Sequence, residues 1–190
     1  MLMYWYTKIK KLNRLAVLFP IGLASLLSSC ESKDLKSSVD TNSTYFDIPL
    51  YFGEQISALQ KRNPLVLKTV YTNQVSEEKE LNIGDWNIEL SSFLTVDLNK
   101  PAYKGYIIKD SIGNVVNYKI TDDKAEVSKV TITYDNNIPS QIEIAKQIKN
   151  FLYRTDETLI YQPNKMYSIK KSQKVIILGT NDYEIKGEIK

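Results

Sequence analysis

Residues 126–147 read EVSKVTITYDNNIPSQIEIAKQ, and this stretch decides the fold class. Apolar and polar residues alternate on either side of Asp135-Asn136-Asn137, a tripeptide typical of a short turn. The apolar positions of the alternation are Val130, Ile132, Tyr134, Ile142 and Ile144. A period of two places these side chains on one face of a strand and the polar ones on the other. The stretch therefore predicts an antiparallel β-hairpin with one buried and one hydrated face.

The same pattern extends in both directions from this hairpin. Further strands are predicted at 65–72, 79–83, 103–109, 115–121, 151–154, 158–162, 166–171, 174–178 and 182–189. Among the turns predicted between them are Thr155-Asp156-Glu157, Gln162-Pro163-Asn164 and Gly179-Thr180-Asn181-Asp182. Strands joined by such short turns form a long antiparallel meander.

Two amphipathic helices precede most of the strands. The first is predicted from Ile48 to Arg62, with Asp47 as its cap and Asn63-Pro64 as its stop. Its apolar stripe is Phe52, Ile56 and Leu59. The second is predicted to begin at Asp85 and to end at Asn99-Lys100-Pro101. Its apolar stripe is Trp86, Leu90, Phe93 and Leu94.

The expected architecture is α+β, with the two N-terminal helices packed on a long curled β-meander that resembles a half-barrel or an open barrel. Sheets twist, and amphipathic helices need an apolar surface to cover. Two interpretations of the helical stripes remain open. They either pack as ordinary core, or they line an apolar cradle for an acyl chain. The cradle candidates are Phe52, Ile56, Trp86, Leu90 and Phe93.

The first thirty residues, MLMYWYTKIKKLNRLAVLFPIGLASLLSSC, have the pattern of a secretory leader. Four basic residues precede an apolar run, and they are Lys8, Lys10, Lys11 and Arg14. The apolar run, residues 15–27, contains Pro20 and Gly22 and is shorter than the ~20 residues that cross a bilayer. We therefore expect a signal peptide at 1–29, a flexible polar tether at 30–44 and one globular domain at 45–190.

The leader ends in Leu27-Ser28-Ser29-Cys30, which resembles the lipobox of bacterial lipoproteins. The resemblance implies that Cys30 is the lipidation site and that cleavage directly before it makes it the first mature residue. Acyl chains on Cys30, such as palmitate, would then hold the protein on the cell envelope, with the outer membrane expected and the leaflet left open. The alternatives are an ordinary signal peptide with a chance cysteine and an uncleaved N-terminal anchor.

Charge in the mature part is balanced. The precursor has 25 basic and 22 acidic residues, and four of the basic ones lie in the leader, so 21 remain against 22. A mature net charge near −1 gives no basic excess for nucleic acid, and no nucleic-acid partner is predicted. Charged residues after Cys30, including Glu31, Lys33 and Asp34, resemble the export signal of surface lipoproteins, or form a plain solvated linker.

Several catalytic chemistries are not available to this composition. The chain has no His and one Cys, which removes His-activated nucleophiles, His-ligated zinc and disulfides. No cofactor, metal site or catalytic residue is predicted. A hydrolase built on two carboxylates remains an alternative, with Asp85, Glu89 and Asp97 as its candidates.

The overall layout resembles small uncharacterised lipoproteins of the Bacteroidota. Three segments carry this resemblance: YFDIPLYFGEQISALQKRNPLVLKTV, IGDWNIELSSFLTVDLNKPAYKG and MYSIKKSQKVIILGTNDYEIKG. It implies a location and a fold but no activity. The layout is also similar in topology to half-barrel lipoprotein carriers of the LolA/LolB type, although no motif is shared.

These observations predict a lipid-anchored envelope lipoprotein without evident catalytic machinery and with a binding, structural or assembly role. Its expected partners are the membrane, through Cys30, and an envelope protein or a lipid. The 13 tyrosines fit either a binding surface or ordinary half-buried strand positions. An acyl-chain or lipoprotein carrier is the first alternative, and a carboxylate-based hydrolase is the second.

Overall fold

The computed structural model describes residues 44–190 except Gln74. The described residues fall in one compact unit. The predicted signal peptide, the cleavage motif of Leu27, Ser28 and Ser29, the lipidation site Cys30 and the tether up to residue 43 lie outside them. Within residues 44–190, no helix has the length and apolar character needed to span a membrane.

Nine antiparallel strands form one sheet, which confirms the α+β class and the meander. The strands are β1 (Leu65–Thr72), β2 (Val75–Asn82), β3 (Ile107–Ile112), β4 (Val115–Ile120), β5 (Val127–Asp135), β6 (Ile138–Lys149), β7 (Tyr153–Gln162), β8 (Met166–Val175) and β9 (Gly179–Ile189). Their spatial order is β2-β1-β9-β8-β7-β6-β5-β4-β3. Each strand from β3 to β8 therefore pairs with the next one along the chain, and β9 also pairs with β1.

The sheet is open, because its outermost strands β2 and β3 lie at opposite edges. The expected curled half-barrel is therefore corrected to an open sheet. Edge strand β2, with the sequence VSEEKELN, is highly charged and exposed along most of its length. Charged edges disfavour pairing with another strand, which is consistent with an edge that stays unpaired.

The hairpin of residues 126–147 forms as predicted. Asp135 pairs with Ile138, and Asn136 and Asn137 between them have φ of 49° and 63°. Positive φ at both central residues defines a type I′ turn, which asparagine tolerates better than most residues and which matches the twist of the flanking strands.

Two predicted turns are wrong because the strands continue through them. Thr155-Asp156-Glu157 lies inside β7, where Asp156 accepts hydrogen bonds from Gln147 (2.7 Å) and from the guanidinium of Arg154 (2.8 Å). Neighbouring side chains thus satisfy a charged residue that, taken alone, favours a turn. Likewise, Gly179 to Asp182 belong to β9, and the β8–β9 turn falls at residues 176–178.

The first helix, α1 (Ile48–Arg62), has the predicted bounds. The backbone N–H of Leu50 donates to Asp47 Oδ1 at 2.9 Å, and Asn63 ends the helix with φ of 45°. The second predicted helix is wrong as one element. It consists of α2 (Trp86–Glu89) and α3 (Ser91–Leu94), and a short 3-10 turn follows at Pro101–Tyr103.

The break between α2 and α3 lies at Leu90, where φ is −101° and ψ is 16°. The change of direction does not disturb the apolar stripe, since Trp86, Leu90 and Phe93 are all fully buried. These three side chains thus reach the core although the helix is interrupted.

The core lies between the helices and one face of the sheet. One cross-strand row of core residues runs over five neighbouring strands and consists of Tyr118, Val130, Ile144, Leu159 and Ile169. Apolar side chains on alternate positions of each strand meet in such rows, as the period-two pattern predicts.

Candidate functional site

The five cradle candidates lie together in the core. None of Phe52, Ile56, Trp86, Leu90 and Phe93 is more than 4% exposed. Phe52 stacks on Phe93 with ring centroids 4.6 Å apart, and Tyr161 packs edge-on against both, at 5.0 and 6.1 Å. The space expected for an acyl chain is therefore occupied by the side chains themselves. Of the five, Ile56 also borders a surface hollow of about 460 Å³ beside Asn87.

Trp86 connects α2 to the sheet and to α1. Its ring packs edge-on against Tyr167 of β8 at 6.0 Å, and its backbone N–H donates to Gln60 Oε1 at 3.2 Å. Its own indole N–H is the one buried side-chain polar atom of the described residues that has no hydrogen-bond partner. A buried donor without a partner costs about 1–3 kcal/mol. Since the indole makes no hydrogen bond, its position is held by packing, including the contact with Tyr167.

Glu89, one of the carboxylate candidates, belongs to a polar network beneath α2. It forms an ion pair of 2.7 Å with Lys68 of β1 and accepts a hydrogen bond of 2.6 Å from the hydroxyl of Tyr167. Burial, together with the neighbouring Glu89 carboxylate, raises the pKa of Tyr167 well above its usual range. The phenol therefore stays protonated and donates, and Glu89 is committed to linking the helix to two strands.

The other two carboxylate candidates have local structural roles. Asp85 caps α2, accepting from the backbone N–H of Asn87 at 2.8 Å, and the side-chain amide and backbone of Asn87 lower the pKa of its carboxyl. A general acid needs the opposite shift. Asp97 accepts from the backbone N–H of Asn99 at 2.8 Å. Each of the three candidates thus serves a different structural contact.

A second ion cluster is centred on Lys146 of β6. The ammonium group of Lys146, 8% exposed, lies 2.8 Å from Glu126 and 3.1 Å from Glu157. Burial alone lowers the pKa of Lys146, but the two carboxylates together outweigh it, and the pKa is raised. Lys146 is therefore a structural cation at neutral pH. No cluster of three or more metal-ligating side chains occurs among the described residues.

A groove of about 800 Å³ with several charged lining residues lies next to this cluster, between the β4–β5 loop and the end of β6. Its charged lining residues are Lys119, Lys124, Lys149, Asp122, Asp123 and Glu126. The loop is held by a hydrogen bond of 2.7 Å from the Gln147 backbone N–H to the Glu126 carbonyl. Interspersed ammonium and carboxylate groups suit a polar ligand or a hydrated protein contact better than an acyl chain.

Comparison with known proteins found no matching family model, no matching curated protein and no matching solved structure.

Sequence reasoning missed one group of residues, at the turns that follow β6 and β8. The large apolar side chains there are Phe151, Leu152, Ile176, Ile177 and Leu178, and all are exposed. The period-two pattern assigned them to strands 151–154 and 174–178, which would have buried part of them. The signal that distinguishes them is three consecutive apolar residues, Ile176 to Leu178, which one-sided alternation does not explain.

Proposed function

We propose that the protein is a lipid-anchored lipoprotein of the cell envelope with a binding or assembly role. The observation that carries the proposal is Leu27-Ser28-Ser29-Cys30 at the end of a leader with a basic start and a short apolar run. Each buried methylene contributes about 0.8 kcal/mol to membrane binding, so one chain is marginal whereas two or three chains on Cys30 hold the protein stably.

The binding role is assigned to the edge strand β3, which pairs on one side with β4. Ile108 and Ile112 on this strand are exposed. The Thr121 N–H donates to the Tyr106 carbonyl, and antiparallel pairing alternates, so the backbone groups of Ile107, Lys109 and Ser111 point away from β4. An edge of this kind accepts an added strand from a partner, whereas the charged edge β2 disfavours one.

The two alternatives have weaker support. A carrier would need a cavity where Phe52 and Phe93 now stack on each other and Trp86 packs against Tyr167 of the sheet. A carboxylate hydrolase would need two acids free to act on one substrate, whereas Asp85 and Glu89 are engaged as a helix cap and an ion pair. A binding role requires neither an internal cavity nor two free carboxylates.

The anchor is tested by metabolic labelling with a palmitate analogue in cells that express the full chain. We expect label in the wild type and none in Cys30→Ala. Ser29→Ala is the matched control, because it keeps a small residue before the cysteine and should label normally. Equal labelling of the wild type and Cys30→Ala would overturn the proposal.

The binding role is tested by capture from detergent extracts with a tagged chain. A partner that docks on β3 should be lost from Ile108→Lys and retained by Ile138→Lys, because Ile138 is also an exposed isoleucine but lies beside the β5–β6 turn. Equal recovery from both variants would contradict docking on β3.

A further inference from the structure

Five large apolar side chains occupy two neighbouring turns at one end of the sheet. We call these residues the apolar tip: Phe151, Leu152, Ile176, Ile177 and Leu178. Phe151, Ile177 and Leu178 are 88%, 91% and 85% exposed. The Ile176 N–H donates to the Leu152 carbonyl at 3.2 Å, so the two turns form one surface. None of residues 147–154 and 170–186 is buried, and the tip is therefore not covered by the helices.

The opposite end of the same sheet has the composition expected of turns. There the hairpins close with Gly113-Asn114, Asn136-Asn137 and Pro163-Asn164. Glycine, asparagine and proline satisfy the backbone requirements of turns, whereas isoleucine, leucine and phenylalanine do not. The backbone requirements of a turn do not explain the large apolar residues of the apolar tip, so these residues need a different explanation.

A basic row lies directly behind the apolar tip. Lys149 of β6 pairs with Arg154 of β7, and Arg154 pairs with Lys174 of β8. Three cations in adjacent register repel each other, which is unfavourable in a sheet unless anions are nearby. Asp156 binds Arg154, but within the described part of the chain Lys149 and Lys174 form no ion pair. The row therefore presents two ammonium groups without a directly bound carboxylate next to the tip, and Lys149 also borders the groove that contains Asp122, Asp123 and Glu126.

We propose that the apolar tip inserts into the interfacial region of a bilayer that contains anionic phospholipid, with Lys149 and Lys174 on the headgroup phosphates. Aliphatic and phenylalanine side chains partition into the boundary between headgroups and acyl chains, and nearby Lys and Arg add attraction to anionic lipid. A protein partner fits less well, because the residues that dominate binding energy at protein interfaces are enriched in Trp, Tyr and Arg, whereas Leu is under-represented among them.

The inference goes beyond the lipid anchor and does not depend on it. Contact through the tip would orient the sheet with the turns of 150–152 and 176–178 toward the bilayer and the Asn136-Asn137 end away from it. An anchor on Cys30 fixes the protein to a membrane but does not by itself set this orientation.

The test uses the chain from Glu31 onward, which contains the whole compact unit and lacks Cys30. It also lacks Trp5, so Trp86, which is fully buried, is its one native tryptophan. Phe151→Trp and Ile177→Trp place a reporter on the tip, and Ile138→Trp places one on an exposed isoleucine at the opposite end. Fluorescence is recorded with vesicles of phosphatidylcholine alone and with added phosphatidylglycerol, and urea unfolding confirms that each variant is folded.

We expect a blue shift for both tip reporters with anionic vesicles, and none for Ile138→Trp. Lys149→Glu/Lys174→Glu, introduced beside Ile177→Trp, should reduce binding to anionic vesicles at least tenfold, and Ile177→Ser should reduce co-sedimentation of the otherwise unchanged chain. The absence of a blue shift at the tip, or an equal shift at Ile138→Trp, would overturn the proposal. It would also be overturned by a blue shift of the tip reporters that appears without vesicles and accompanies dimer formation in sedimentation velocity. Because this chain cannot be acylated, failure here leaves the result of the palmitate labelling intact.

Discussion

The ring of Tyr167 lies directly over Gly187 on the neighbouring strand. The two residues are register partners in β8 and β9, and a Cβ at position 187 would lie 2.2 Å from the Cε1 and Cζ atoms of the ring. Glycine at this position lets the ring cross β9, and from there its hydroxyl reaches Glu89 at 2.6 Å. This contact connects the sheet with α2, and Trp86 packs against the same ring.

Gly187→Ala should therefore destabilise the domain. The added methyl forces the Tyr167 ring out of its position, and overpacking of this kind costs about 1–3 kcal/mol. Urea unfolding followed by tyrosine and tryptophan fluorescence measures the change. Gly53→Ala is the control, because Gly53 is an exposed residue of α1 with nothing within 4 Å of its added Cβ. It should raise stability by about 0.4–1 kcal/mol. Similar losses for both variants would contradict the role of Gly187.

Lys146→Met should also lower stability, because it leaves Glu126 and Glu157 without their shared cation. Glu157 is 15% exposed, whereas Glu126 is half exposed and water screens it, so we expect a loss of about 1–3 kcal/mol. Lys146→Met/Glu157→Gln should be more stable than Lys146→Met, because the nearly buried carboxylate is neutralised. A double-mutant cycle in urea should give a coupling of about 0.5–3 kcal/mol, and a coupling of zero would contradict the network.

Alkaline pH should destabilise the domain. Burial raises the pKa of Tyr161 and Tyr167 well above the usual value and raises the pKa of Tyr51 to about 12. Above pH 10 the unfolded chain loses these protons while the folded protein keeps them, so unfolding becomes more favourable as pH rises toward the folded pKa values. Tyr161→Phe should reduce the slope of unfolding free energy by about 1.4 kcal/mol per pH unit in that window. If the unfolding free energies of the wild type and Tyr161→Phe changed in parallel with pH, the pKa of the Tyr161 phenol would not be raised by folding.

The elements that the sequence predicted well are those with a strong local pattern. Helix α1 has a cap, a stripe and a stop within its own sequence, and β1 and the Asn136-Asn137 hairpin are equally self-contained. The errors arise where distant partners decide. Asp156 suggests a turn by itself but is satisfied by Gln147 on the adjacent strand, and the apolar stripe of the second predicted helix gives no sign of the break at Leu90.

The site was harder to predict than the fold. The stripe of Phe52 and Phe93 predicts burial in both the core and the cradle interpretation, and only the three-dimensional packing separates the two. The juxtaposition of Tyr167 with Gly187, and of Lys149 with Lys174 across Arg154, depends on strand register. Register follows from turn positions, and the predicted turn after β8 begins at residue 179, three residues after the observed turn begins.

The lipid anchor is tested most directly by mass spectrometry of the N-terminal peptide of the protein extracted from membranes with detergent. Cleavage before Cys30 followed by trypsin should release Cys30-Glu31-Ser32-Lys33, with acyl chains on the cysteine. Its mass should exceed that of the bare tetrapeptide by the mass of a diacylglyceryl group, with or without a further acyl chain. Recovery of an unmodified peptide that runs from Leu15 through Cys30 to Lys33 as the main product would contradict the account.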